Sequence, residues 1–258
     1  MASPMSSSTW TAAALLSRAA PLSGSFWRTV EAQHIVSTMK LTDSLEEQAI
    51  LEQLIEQTKP PVPPDCIGLD FLLMTPFRYS RQNPWGSRFR KPYSESGVFY
   101  AAERSETAIA EAVFHRLRFF ADSPETPWPQ NASEYTAFSV EVSSKRAIDV
   151  AAFPADDVAD ILDPSDYSAG QVLSEKAREA EIELIKYASV RDPDHYANLA
   201  ILTPAAFAKS EPTGRQTWRI YLDGNGARAV CESPGLSLAF GRDAFNADPR
   251  MAAFVWDR

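Results

Sequence analysis

Five cations fall within the stretch RYSRQNPWGSRFRK: Arg78, Arg81, Arg88, Arg90 and Lys91, with no acid among them. Tyr79, Trp85 and Phe89 are interleaved with them. Guanidinium groups match phosphate oxygens in paired geometry, and aromatic rings stack on flat heterocycles. Gly86 and Gly97 would let backbone approach a ligand closely. Further on, Glu111, His115 and Arg118 recur at helical spacing and share a narrow polar face. Two readings stand side by side. One is a site for an anionic, ring-containing ligand such as a nucleotide. The other is a solvated basic loop beside a salt-bridged helix face.

These residues need elements to hold them. GVFYAA (97–102) has the composition of a short buried strand, and SETAIAEAVFHRLRFFA (105–121) that of a helix with Ser105 at its N-cap. YTAFSVEV (135–142) alternates, with Phe138, Val140 and Val142 on one face, and RAIDV (146–150) continues in the same manner. The segment 154–184 is acidic and reads as helix or loop, with Ser168 and Gln171 spaced as a helix cap. IKYASV and NLAIL read as buried strands, and QTWRIYLD-GNG-ARAVC as a hairpin turning at 223–226. Upstream, residues 1–23 read as a frayed terminus and 24–58 as helical. In DSLEEQAILEQLIEQT, Ser44 and Glu47 have capping-box spacing, and Ile50, Leu51, Leu54 and Ile55 share one side. KPPVPPD then stops any helix. The division expected is a terminus (1–23), a helical extension with its proline connector (24–66) and a catalytic domain (67–258), with a motif core at 77–203 and a hairpin and tail at 216–258. Short strands mixed with scattered helices, without regular βαβ alternation, point to α+β.

Composition narrows the chemistry. The net charge of −9 argues against a non-specific nucleic-acid binder. No GxGxxG or GxxxxGK[ST] occurs, so a Rossmann or P-loop site has no support. Cys66 and Cys231 fit neither a disulfide framework nor a CxxC metal pattern, and a reducing, cytoplasmic setting is expected. His34, His115 and His195 make no metal pattern, and no metal or retained cofactor is expected. No run approaches the roughly 18 apolar residues of a membrane helix.

Five motifs occur in order: Phe77-Arg78-Tyr79, Gly86-Ser87-Arg88-Phe89, Gly97-Val98-Phe99-Tyr100-Ala101, Thr107-Ala108-Ile109-Ala110-Glu111 and Tyr187-Ala188-Ser189-Val190-Arg191. Together they resemble the RES domain, over roughly residues 77 to 203. The segment from Trp27-Arg28 through Lys59-Pro60 looks like the extension of longer members of that family. The resemblance implies a fold like that of ADP-ribosyltransferases, a mixed β-sheet core with flanking helices. It implies the toxin of a bacterial type II toxin–antitoxin pair that consumes NAD and arrests growth. NAD would be the substrate, cleaved by hydrolysis or phosphorolysis, or used to transfer ADP-ribose to a protein. The partner implied is an Xre-type antitoxin blocking the NAD pocket; a homodimer stays open, and neither membrane nor nucleic acid is a direct partner.

Carried over by motif, Arg78 corresponds to the family arginine, Glu111 to its glutamate and Ser189 to its serine. Tyr100 corresponds to its pocket tyrosine and Arg88 to the arginine of the Gly-x-Arg segment, while Tyr79 follows Arg78 as in relatives. Glu111 would stabilise an oxocarbenium-like ribose. Arg78 and Arg88 would hold the pyrophosphate, Tyr100 would pack on the nicotinamide, and Ser189 would hydrogen-bond the nicotinamide end or the ribose. His115 has no family role and is expected on the helix surface. A nuclease gripping phosphates through 78–91 is the competing enzyme class, and a non-catalytic pocket receiving a partner's tail is the competing non-enzyme class.

Overall fold

The alternation in YTAFSVEV becomes part of the longest strand in a computed structural model that describes residues 10–32 and 41–257. This strand, β3 (Ser133–Asp149), takes in both segments expected to be extended. Before it come α1 (Ala12–Arg18), β1 (Ala20–Glu31), α2 (Leu45–Thr58), α3 (Phe71–Arg78), β2 (Phe99–Ala102) and α4 (Ser105–Asp122). After it come α5 (Ala155–Ile161), α6 (Ser168–Glu179), β4 (Leu184–Ala188), β5 (Ala197–Ile201), β6 (Gly214–Asp223), β7 (Gly226–Cys231), β8 (Leu236–Gly241) and α7 (Pro249–Ala252).

The strands form one eight-stranded mixed sheet in the order β1-β2-β5-β4-β3-β6-β7-β8. Only β3 and β4 run parallel; every other pairing is antiparallel. β1 also pairs along β3, from Ala20↔Ala147 to Glu31↔Tyr135, and meets β2 at Trp27↔Ala102. The sheet therefore closes on itself through β1, β2, β5, β4 and β3, and β6 to β8 extend from the remaining part of β3. The α+β expectation holds, with helices packed on the sheet.

β3 is buried on both faces, which explains its apolar content. Phe138, Val140 and Val142 pack with Phe99, Leu199 and Ile201. Tyr135 and Ala137 pack on the other side with Trp218 and the α4 residues Ile109, Val113 and Leu117. A third cluster joins α5 and α6 to the sheet through Ile161, Leu173, Ile148, Ile185 and Tyr187. The hairpin forms as expected, with β6 and β7 joined across Asp223↔Gly226 and Gly226 at φ +131.

Several local expectations are corrected. Of the terminus expected to be frayed (1–23), residues 1–9 lie outside the described residues, and the remainder is ordered as α1 and the start of β1. The helical reading of 24–58 holds only for α2, since residues 20–31 are strand and 33–40 lie outside the described residues. Phe26, Trp27, Thr29 and Val30 are aromatic or β-branched and favour the pleated surface offered by β3. The α2 cap is as expected, with the Ser44 side chain accepting from the Glu47 N–H. The Ser105 cap is not: Ser105 is the first helical residue, and Arg104 holds the N-cap position without a side-chain bond. Ser168 likewise begins α6 with no side-chain cap, and Gln171 instead donates to the carbonyls of Ser87 and Arg90. Gly97 makes room for protein rather than ligand, because a Cβ there would lie 2.4 Å from the Pro76 carbonyl oxygen at the end of α3.

Candidate active site

Glu111 anchors the site. It projects from α4 into a cleft of about 310 Å³ whose walls come from β1, the 86–88 loop, β2, α4, β4, β5 and the loop after β4. Its Oε1 accepts from Ser189 Oγ at 2.8 Å and from Asn198 Nδ2 at 2.7 Å. Asn198 sits on β5 directly between Ala102 of β2 and Tyr187 of β4, so the sheet fixes one of these donors. The 189–192 turn fixes the other. Ser189 Oγ accepts from the backbone N–H groups of Arg191 at 3.1 Å and Asp192 at 3.0 Å, leaving its own proton for Glu111. With both donors on Oε1, Oε2 has no protein donor among the described residues and is the oxygen free to meet a ligand.

Aromatic rings and cations complete the walls. Trp27, Tyr100, Tyr167 and Tyr187 all line the cleft. The Tyr100 hydroxyl accepts from the Phe89 N–H at 3.0 Å and shares a 2.8 Å hydrogen bond with Ser87 Oγ, which ties the 86–89 loop to β2. Burial raises the pKa values of both Tyr100 and Tyr187, and for Tyr187 the nearby Glu111 charge adds to the effect, so both rings stay neutral. Arg28 lies with its guanidinium 4.9 Å from the centre of the Phe99 ring and donates to the Tyr100 carbonyl at 2.9 Å. No carboxylate among the described residues pairs with it, and desolvation pushes its pKa down to about 10. Arg88 gives one nitrogen to the carbonyls of Ile161 and Asp163, at 2.6 and 2.8 Å, and lies over Tyr167. Thr29 Oγ1, on the cleft wall, is buried without a partner.

A buried ionic network closes the far side. Arg191 packs over Phe114 of α4 at 3.6 Å and bonds Asp248 at 3.0 Å. Asp248 is fully buried, caps α7 through the Arg250 N–H and is also bonded by the Arg250 side chain. Burial pushes the Asp248 carboxyl up, but the bonds from Arg250 and the charges of Arg191 and Arg250 outweigh it and hold the pKa below the usual value.

The structure therefore brings together Arg88, Tyr100, Glu111 and Ser189 from the residues singled out by sequence. It does not bring Arg78 and Tyr79 there. Arg78 bonds the Pro60 carbonyl at 2.6 Å and Glu56 at 2.7 Å, joining α2 and its proline connector to the end of α3, where Tyr79 is the C-cap. The other cations of 78–91 are similarly engaged: Arg81 with Glu95, Arg90 with the carbonyls of Ser80 and Trp85, and Lys91 with Glu175. Ser189 does not face the cleft; its hydroxyl is committed to the turn and to Glu111. His115 is exposed on α4 as expected, and it also lines the cleft, one helical turn beyond Glu111. Arg28, Asn198, Tyr187 and Arg191 went unassigned. Two of these lay inside the quoted Tyr187–Arg191 motif, and the strand character of 26–30 was the available signal for Arg28.

The RES domain family profile matches residues 64–223. The chain belongs to the RES domain family. Among curated proteins none matches it. A solved structure described as the M. tuberculosis MbcT-MbcA toxin-antitoxin complex aligns at a TM-score of 0.45 with 11% identity, covering 78% of this chain and 90% of that chain. That likeness is too distant for residues to be matched across it. One wall of the cleft in this RES protein lies outside the matched span, β1 with Trp27, Arg28 and Thr29, as does the α7 segment that holds Arg191 from behind. No group of three or more metal-ligating side chains able to hold an ion occurs among the described residues. No described helix is long and apolar enough to cross a membrane.

Proposed function

We propose that this RES protein cleaves the nicotinamide–ribose bond of NAD and acts as the toxin of a toxin–antitoxin pair. The observation that carries the reading is the Glu111 carboxylate, held through one oxygen by Ser189 and Asn198, with the other turned to an aromatic, cationic cleft in a RES domain. A fixed anion beside the ribose stabilises the positive charge that develops as the bond breaks. Nicotinamide leaves as a neutral molecule, so no strong acid is needed at that end. Tyr100 and Tyr187 offer ring faces to nicotinamide. Arg28 and Arg88 take the diphosphate, which supplies Arg28 with the anion it lacks. Ser189 acts through Glu111, and Arg78 and Tyr79 have no part in binding. The cleft volume suits one ring, its ribose and phosphate, so the adenosine end lies toward the mouth. The partner is an antitoxin that covers this cleft, by the family resemblance.

The acceptor at the ribose carbon separates hydrolysis, phosphorolysis and protein ADP-ribosylation. NMR of NAD incubated with the protein, with and without phosphate, tests the reading. Release of nicotinamide by the wild type, and its loss in Glu111→Gln, are expected. Equal release by the two proteins would remove Glu111 from the mechanism. No release by either, with no ADP-ribose appearing on added protein, would remove NAD cleavage.

A further inference from the structure

His115 lines the cleft on the same face of α4 as Glu111, although no part of the reading above uses it. Its ring is held edge-on against Phe114 at 5.3 Å, and Phe114 is packed between Phe245 and the Arg191 guanidinium. The imidazole thus has a fixed wall behind it and the cleft in front. The charged groups acting on it are Glu111 from its own helix, Arg191 from the loop after β4 and Arg250 from α7. Desolvation lowers its pKa first; Glu111 opposes this, and Arg191 and Arg250 reinforce it. Part of the side chain is exposed where it lines the cleft, and the lowered pKa leaves the ring unprotonated at neutral pH, which is the state a proton acceptor needs. Glu111 does not fill that role, because its task in the reading above is to remain an anion beside the ribose.

We propose that His115 is the base that takes the proton from the acceptor as it attacks the ribose. The proposal rests on the NAD reading above. The bond from ribose C1′ to the nicotinamide nitrogen breaks, and its electron pair stays on that nitrogen, neutralising the pyridinium charge. A lone pair of the acceptor oxygen forms the new bond to C1′. The proton of that oxygen passes to the free imidazole nitrogen and from there to solvent. The acceptor belongs to the class that must lose a proton: water, an alcohol or protonated phosphate. An anion without a proton does not need His115.

The test compares wild type, His115→Gln and His115→Asn for nicotinamide release between pH 5 and 9, with and without added azide. The expected result is a loss of about 100-fold in kcat for both variants with water or phosphate as acceptor. The wild-type acidic limb, centred below the ordinary histidine range, disappears in the variants. Azide restores their turnover and yields an ADP-ribosyl azide by mass spectrometry. Unchanged rates, or an equal loss with azide and with water, would overturn the base and leave the NAD reading standing. No release by the wild type under any condition would overturn the NAD reading and the base together. Rescue by azide also shows that the variants are folded.

Discussion

A carboxylate that accepts two hydrogen bonds on one oxygen has lost its freedom to turn, and Glu111 is held in this way by Ser189 and Asn198. The two donors fix the carboxylate and aim its second oxygen. Glu111→Gln keeps the shape and removes the charge, and nicotinamide release should fall by at least about 100-fold with little change in melting temperature. Ser189→Ala removes one charged hydrogen bond, so kcat should fall about 10-fold while the NAD KM changes little. Arg28 and Arg78 give a sharper contrast. Arg28→Ala should raise the NAD KM by roughly 10- to 100-fold, the cost of a lost charge-assisted contact. Arg78→Ala breaks an ion pair with the exposed Glu56 and a hydrogen bond to the Pro60 carbonyl, so it should lower the melting temperature and leave KM unchanged. Steady-state kinetics beside thermal melts separate the two. Glu111, Tyr100 and Arg88 were legible because their motifs lie on or beside the elements that carry them into the cleft. Arg28 was not, because its place depends on β1 pairing with a strand more than a hundred residues later. The density of arginines at 78–91 misdirected attention for a related reason: charge is visible in a sequence, but the carbonyls and acids that absorb it are not.

At the scale of elements, the loops around the cleft are fixed by burial and close approach. α7 is a single turn, yet its buried cap Asp248 pairs with both Arg191 and the partly exposed Arg250. Removing one member of such a network leaves buried charge without a partner. Asp248→Ala should therefore cost about 3–5 kcal/mol, read by denaturant unfolding. The folded-state pKa of Asp248 lies below its unfolded value, so the associated stability is present above the unfolded carboxylate range. It is lost as the pH falls below about 4, and the variant should lack that part of the acid-unfolding transition. Gly97→Ala would drive a methyl into the backbone at the end of α3 and should cost about 1–3 kcal/mol. The α2 cap, the 223–226 turn and the alternation of β3 could be read because each is encoded within a few residues. The uncapped starts of α4 and α6 could not, since tertiary packing holds them without the local bond that Ser105 and Ser168 suggested.

For the whole molecule, the family's matched span is not the span of the cleft. Residues 64–223 lack β1, which closes the ring of strands, and also lack β7, β8 and α7. A fragment limited to that span should show no cooperative melt and no nicotinamide release, whereas the full chain should show both. α2 stands apart from this core: none of its residues is buried, and Ile50 and Leu54 remain exposed on its apolar side. Its amphipathic pattern was legible, but a pattern does not say whether a core lies beneath it.

The ring has a further consequence during synthesis. Trp27 and Arg28 leave the ribosome before Glu111, Asn198 follows later, and Asp248 comes last of these residues. At about 5–20 residues per second, roughly 10 to 45 seconds separate the first wall of the cleft from the last. A nascent chain, or one abandoned on a broken message, carries every motif of its first two hundred residues and still lacks the clamp on Arg191. The cleft, and with it the proposed chemistry, is thus incomplete until Asp248 has been made and has reached Arg191.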